Sequence, residues 1–107
     1  MQFTGTPVYM APELFLKKGY DEKIDVWAFG ALLWEILTNE VPFEGLEAVH
    51  IMDIVTNPEN LKENDLAIPY TMNEEMSHLI KNCRDFDPKK RPSFPDILET
   101  LNEILLV

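Results

Sequence analysis

The chain has 107 residues, 46% of them hydrophobic and 26% charged, a globular composition that argues against disorder. With 19 acidic and 9 basic residues its net charge is −10, which disfavours nonspecific binding to nucleic acid or an anionic membrane. Cys83 is the one cysteine, so an intrachain disulfide and a multi-cysteine zinc site are excluded.

Residues 3–12 read as non-helical, because Gly5, Pro7 and Pro12 punctuate them and a residue before proline avoids the α region. A short helical turn is expected at Glu13–Lys17. The strongest helix runs from about Lys23 to Thr38, with Asp21 as its cap and Asn39 and Pro42 as its stop. Its apolar residues cover most of the circumference, which belongs in the middle of a core. Thr56–Asn60, extending towards Ile68 and Pro69, reads as a loop inside one domain. Three amphipathic helices complete the chain: 46–56 with Ile51, Ile54 and Val55; 73–83 with Met76, Leu79, Ile80 and Cys83; and 94–106 with Ile97, Leu98, Leu101, Ile104 and Leu105. Ser93 is placed to cap the last of these, with Pro95 and Asp96 in its first turn. No stretch alternates like a strand, so the fold class is all-α. Three one-sided helices do not supply enough surface to coat the central one, and part of its coat is expected to lie outside this chain.

The longest apolar run, nine residues from Val26 to Trp34, is short of the roughly 20 that a membrane span needs. Met1-Gln2-Phe3-Thr4 lacks the basic start and apolar run of a signal peptide, and the expected address is the reducing cytoplasm. From Glu40 to Glu75 nine acids face Lys62 alone, so that stretch carries −8 of the charge; a solvated face is the expected reading. His50 and His78 are far apart and read as ordinary surface or satisfied residues rather than metal ligands. Cys83 reads as a buried small hydrophobe. Trp27, Phe29 and Trp34 read as core.

Three runs carry chemistry: Gly5-Thr6-Pro7-Val8-Tyr9-Met10-Ala11-Pro12-Glu13, Asp25-Val26-Trp27-Ala28-Phe29-Gly30, and Cys83 through Phe94. Asp25 is a carboxylate in an apolar helix; if buried it must meet donors, and near the helix N-terminus the dipole also favours it. Gly30 sits mid-helix, where glycine costs roughly 1 kcal/mol relative to alanine; it reads either as tolerated drift or, more sharply, as a close approach of another backbone that a Cβ would block. Glu13 and Arg91, 78 positions apart, each adjoin a proline-fixed turn.

Together, in this order and spacing, the three runs resemble the C-terminal part of a eukaryotic protein kinase domain. Ala11-Pro12-Glu13 matches the tripeptide that ends the family's activation segment. Asp25-x-Trp27-x-x-Gly30 matches its central helix, and Asp87-Pro88-x-x-Arg91-Pro92 its last loop. Thr6 resembles the serine/threonine branch, whereas Leu33–Leu37 and the Cys83…Phe94 run look more like the tyrosine-kinase and tyrosine-kinase-like groups. The combination is most similar to a tyrosine-kinase-like Ser/Thr kinase. Arg84 departs from that pattern, which commonly has tryptophan after the cysteine.

The resemblance implies a partial kinase domain over 1–107: residues 1–13 as the end of the activation segment and substrate-binding loop, and 14–107 as C-lobe helices around one buried helix. It implies that Asp25 accepts hydrogen bonds from a catalytic loop, that Glu13 and Arg91 form an ion pair, and that Trp27 and Gly30 belong to the same structural framework. It implies that Gly5, Thr6 and Pro7 receive the substrate peptide, and it makes Thr4 a candidate phosphorylation site. The family's reaction is transfer of the ATP γ-phosphoryl group to a protein hydroxyl with Mg²⁺. The four glycines (5, 19, 30, 45) include no G-x-G, and neither His-Arg-Asp nor Asp-Phe-Gly occurs, so this chain alone is expected to bind no ATP or Mg²⁺ and to be inactive. The implied partners are a protein substrate and the N-terminal part of a kinase domain; nucleic acid and membrane are not implied. Two other readings stand beside this one: a pseudokinase-like or truncated interaction module, and an unrelated acidic helical domain.

Overall fold

The computed structural model describes residues 6–106. Among them are six α-helices, two 3₁₀ turns and no strand. The helices are α1 (Pro12–Phe15), α2 (Lys23–Thr38), α3 (Ala48–Thr56), α4 (Pro58–Asn64), α5 (Glu74–Cys83) and α6 (Phe94–Leu105), with 3₁₀ turns at Pro7–Tyr9 and Pro88–Lys90.

α2 has the bounds expected of it, and its ends follow from local chemistry. The Asp21 carboxylate accepts from the Lys23 backbone N–H at 2.9 Å, one residue before the position that caps the helix, Glu22. At the other end Asn39 takes a left-handed conformation (φ 56°) and its N–H closes on the Glu35 carbonyl, a geometry that asparagine tolerates. α5 is capped by Asn73, whose side chain accepts from Met76 N, and α6 by Ser93, whose hydroxyl accepts from Asp96 N at 3.3 Å.

α4 corrects the sequence reading, which treated this stretch as a loop. Asn57 is extended and its side chain accepts from both Glu59 N and Asn60 N, while Pro58 supplies a fixed φ at the first helical position. The Asn-Pro pair that looked like a linker is a helix start. Its one buried residue, Leu61, anchors the helix to the core.

α2 lies between two apolar clusters. On one side Val26, Leu33 and Trp34 pack with Met76, Leu79, Ile80 and Cys83 of α5 and Ile97 of α6. On the other side Trp27 packs with Ala11, Ile51 and Val55 of α3, and Leu61 of α4. A helix that is apolar all round is thereby used on two faces. A third face is not covered: Leu32 is 45% and Ile36 66% exposed.

Candidate functional site

Among the described residues, the Arg91 side chain donates five hydrogen bonds and joins the early part of the chain to the late part. Arg91 is 2% exposed and Glu13 5%. Arg91 Nη1 donates to Glu13 Oε2 at 2.7 Å and Nη2 donates to Glu13 Oε1 at 2.9 Å, a two-pronged pair across 78 positions. The remaining donors go to backbone carbonyls: Nε to Asp85 at 2.8 Å, Nη1 to Lys23 at 3.0 Å and Nη2 to Phe86 at 3.3 Å. All five guanidinium N–H groups are therefore satisfied, the condition under which a buried charge is tolerated. In return the Lys23 ammonium donates to the Arg91 carbonyl. The arrangement fastens α1, the start of α2 and the turn before α6 to one another. Pro12 opens α1 and Pro92 follows Arg91, so both partners are presented by proline-fixed backbone.

Trp27, fully buried, stands beside this pair. The Arg91 Cζ lies 5.1 Å from the centroid of its ring and the Arg84 Cζ 3.9 Å. Arg84 is itself 4% exposed and is held by Asp65, with Nη2 donating at 2.6 Å and Nε at 3.3 Å. The Trp27 indole N–H and Arg84 Nη1 are buried without an acceptor among the described residues. Sequence reasoning noted Arg84 only as a departure from pattern and placed Asp65 in a solvated run. An acid 19 positions from a basic residue gives no helical or strand spacing by which to pair them.

Gly30 is a close-approach glycine, but what approaches is side chain and not the expected backbone. A Cβ there would lie 2.9 Å from Cys83 Cβ and 3.2 Å from both Arg84 Cγ and Cδ. The missing side chain makes the space through which the Arg84 stem reaches Trp27. Cys83 itself is fully buried, and burial pushes its thiol up to about 12.

Asp25 also departs from expectation. Its side chain is exposed and makes no hydrogen bond or ion pair among the described residues, so the burial that would have demanded donors is not present. The reason is its place in the first turn of α2, on the face that neither apolar cluster covers. It edges an open, apolar cleft of about 520 Å³ lined also by Tyr9, Ala28, Phe29, Leu32 and Phe94. Phe29 and Phe94, both in its lining, meet edge to face at 6.1 Å.

The N-terminal candidates fall in two groups. Thr4 and Gly5 lie outside the described residues. Thr6 is exposed and extended, and its carbonyl accepts from Tyr9 N, closing the 3₁₀ turn that Pro7 opens. Tyr9, to which sequence reasoning gave no role, donates its hydroxyl to Glu35 Oε1 at 2.6 Å and so ties this turn to α2. That hydrogen bond, with burial and the Glu35 charge behind it, holds the Tyr9 phenol above its ordinary value.

His50 and His78 are exposed, and among the described residues no group of three His, Cys, Asp or Glu is placed to hold a metal ion. No described helix is long and apolar enough to cross a membrane. Eight of the nine acids between 40 and 75 are exposed; Asp65 is the exception.

Comparison with known proteins gives the arrangement its context. The model of the protein kinase domain matches residues 1–101. A probable serine/threonine-protein kinase of Dictyostelium discoideum is 46% identical over 100 residues, 94% of this chain and 10% of that protein. The dual specificity protein kinase shkD of the same organism is 43% identical over 102 residues, 95% of this chain and 13% of its own length. Mitogen-activated protein kinase kinase kinase 11 of Homo sapiens is 36% identical over 104 residues, 97% of this chain and 12% of its length. The chain thus spans no more than about an eighth of these relatives. All-helical architecture, matching motifs and extended similarity agree: the chain belongs to the protein kinase family, as a region of its catalytic domain.

Proposed function

We propose that this chain is the peptide-binding, helical end of the C-lobe of a protein Ser/Thr kinase, which transfers the ATP γ-phosphoryl group to a protein hydroxyl. The observation that carries the reading is the Arg91–Glu13 pair, because it fixes the segment after Thr6 and Pro7 against the helices. In phosphoryl transfer most of the catalysis is positioning and electrostatics, so a framework that holds the acceptor peptide contributes without touching the nucleotide. In this reading residues 1–13 form the end of the activation segment and 14–107 its helical support. Gly5, Thr6 and Pro7 lie against the substrate, and Thr4 is the candidate phosphorylation site. Trp27 and Gly30 hold the framework on which Glu13 and Arg91 close.

Asp25 is the anchor for a catalytic loop supplied from outside the chain. Its exposure at the rim of an uncovered apolar cleft supports this, since a carboxylate with no partner of its own is available to accept one. The residues present do not fit a nucleotide–magnesium site: the chain has no G-x-G, no His-Arg-Asp and no Asp-Phe-Gly. No chemical step is assigned to it alone, and ATP and Mg²⁺ belong to the complete domain.

The test is direct. The purified 107-residue chain is expected to show no Mg²⁺-dependent phosphorylation of a protein substrate and to bind a hydrophobic dye through the Leu32–Ile36 face. Phosphate transfer by the chain alone overturns the assignment of the chemistry to other parts of the domain. A sharp melt without dye binding favours a self-sufficient interaction module instead.

A further inference from the structure

We propose that Asp65 and Arg84 form a second lock that positions the segment around Glu13 from a distance, acting through Trp27. The geometry is a chain of five side chains. Asp65 holds Arg84 at 2.6 Å, Arg84 stacks on Trp27 at 3.9 Å, Arg91 flanks the same ring at 5.1 Å, and Arg91 holds Glu13 at 2.7 Å. Each cation has one carboxylate partner, and both cations share one fully buried ring.

The two ends are not equally secure. Arg91 has an acceptor for every N–H, whereas Arg84 directs Nε and Nη2 to Asp65 and leaves Nη1 without one. Asp65 is therefore the one hydrogen-bonding partner of the Arg84 guanidinium among the described residues. Without it a buried cation stands uncompensated and is driven off the Trp27 face toward water. Trp27, which packs in one cluster with Ala11 immediately before α1, then loses one of its walls. The Asp65 side chain is 23% exposed and lines, with Arg84, a cavity of about 700 Å³ beside α4 and α5, so this end of the chain of contacts is open to the surface. Asp65 and Arg84 are positioning residues in this account. That the positioned segment faces a substrate rests on the kinase reading; the coupling does not, and it is measured without activity.

Hydrogen exchange of the 107-residue chain followed by mass spectrometry tests it. The reporters are the amides of Leu14, Leu16, Lys17 and Lys18, which bond to carbonyls of Ala11, Pro12, Leu14 and Glu13. Asp65→Asn is expected to speed exchange in the peptide covering 10–18 by about fivefold or more, beyond any change in α5 and α6. Asp65→Glu restores most of the protection, and the exposed neighbour Glu63→Gln leaves it unchanged. Because a stranded cation threatens the whole fold, the double variant Asp65→Asn/Arg84→Met supplies the second arm. With the pair neutral, exchange at 10–18 is expected within about twofold of the unsubstituted chain. A change confined to 57–69, a uniform loosening with no excess at 10–18, or an excess that Arg84→Met does not suppress overturns the proposal.

Discussion

Gly30 faces Cys83 across the α2–α5 interface so closely that any Cβ on Gly30 would stand 2.9 Å from the Cys83 Cβ. Gly30→Ala gains about 1 kcal/mol of helix propensity yet is expected to destabilise the chain by about 1–3 kcal/mol net, through overpacking. Cys83→Ala will not rescue it, because the clash is with the Cβ that alanine keeps. Cys83→Gly in the Gly30→Ala background is expected to relieve part of the strain. Urea unfolding of Gly30→Ala and of its two double variants, beside the unsubstituted chain, checks these statements.

Arg91→Lys keeps the charge and loses the fork. Lysine cannot bond both Glu13 oxygens and three carbonyls at once, so the variant is expected to lose about 3–5 kcal/mol, nearly as much as Arg91→Ala. Glu13→Gln is expected to lose a comparable amount, because it strands the guanidinium. Denaturant midpoints at constant slope are the measurement.

Cys83 is expected to resist alkylation at pH 8 in the native chain and to react readily in urea, because its thiol is pushed up to about 12 by burial. The sign of the linked stability follows. The folded value is above the unfolded one, so the stabilising contribution is complete below the unfolded thiol's range and is lost as pH rises towards 12. Cys83→Ala should flatten that part of the alkaline stability profile.

Asn57→Ala removes the side chain that accepts from Glu59 N and Asn60 N. A loss of about 1 kcal/mol is expected, with hydrogen exchange rising first over Pro58–Asn64. Asn57→Asp, which keeps the acceptor, is expected to be close to neutral.

How far the fold could be read in advance depended on whether the signal was local. α2 was legible at both ends because sixteen residues of unbroken helical character stop at an asparagine fit for a left-handed turn. The Glu13–Arg91 pairing came from motif resemblance; no periodicity links residues 78 apart. α4 was hidden because Asn and Pro are turn residues and helix starters alike, and only the backbone geometry at Asn57 separates the two. The exposure of Asp25 was not legible because composition along a helix shows what neighbours it in the chain, not which face its surroundings cover. Asp65 and Arg84 stayed unpaired for a related reason: Asp65 looked like a member of a charged surface run and Arg84 only like a departure from a pattern, until the fold placed Arg84 over Trp27 and Asp65 against Arg84.

The central claim is that Asp25 and its apolar cleft wait for the catalytic part of a kinase domain. A chimaera tests it most directly: this chain in place of the 104 aligned residues of human mitogen-activated protein kinase kinase kinase 11, assayed for phosphate transfer to a protein serine or threonine. The account predicts that the chimaera transfers phosphate and that Asp25→Ala lowers the rate about 100-fold, while leaving the 107-residue chain's own stability unchanged. A folded chimaera that is inactive, or one whose activity ignores Asp25→Ala, contradicts it.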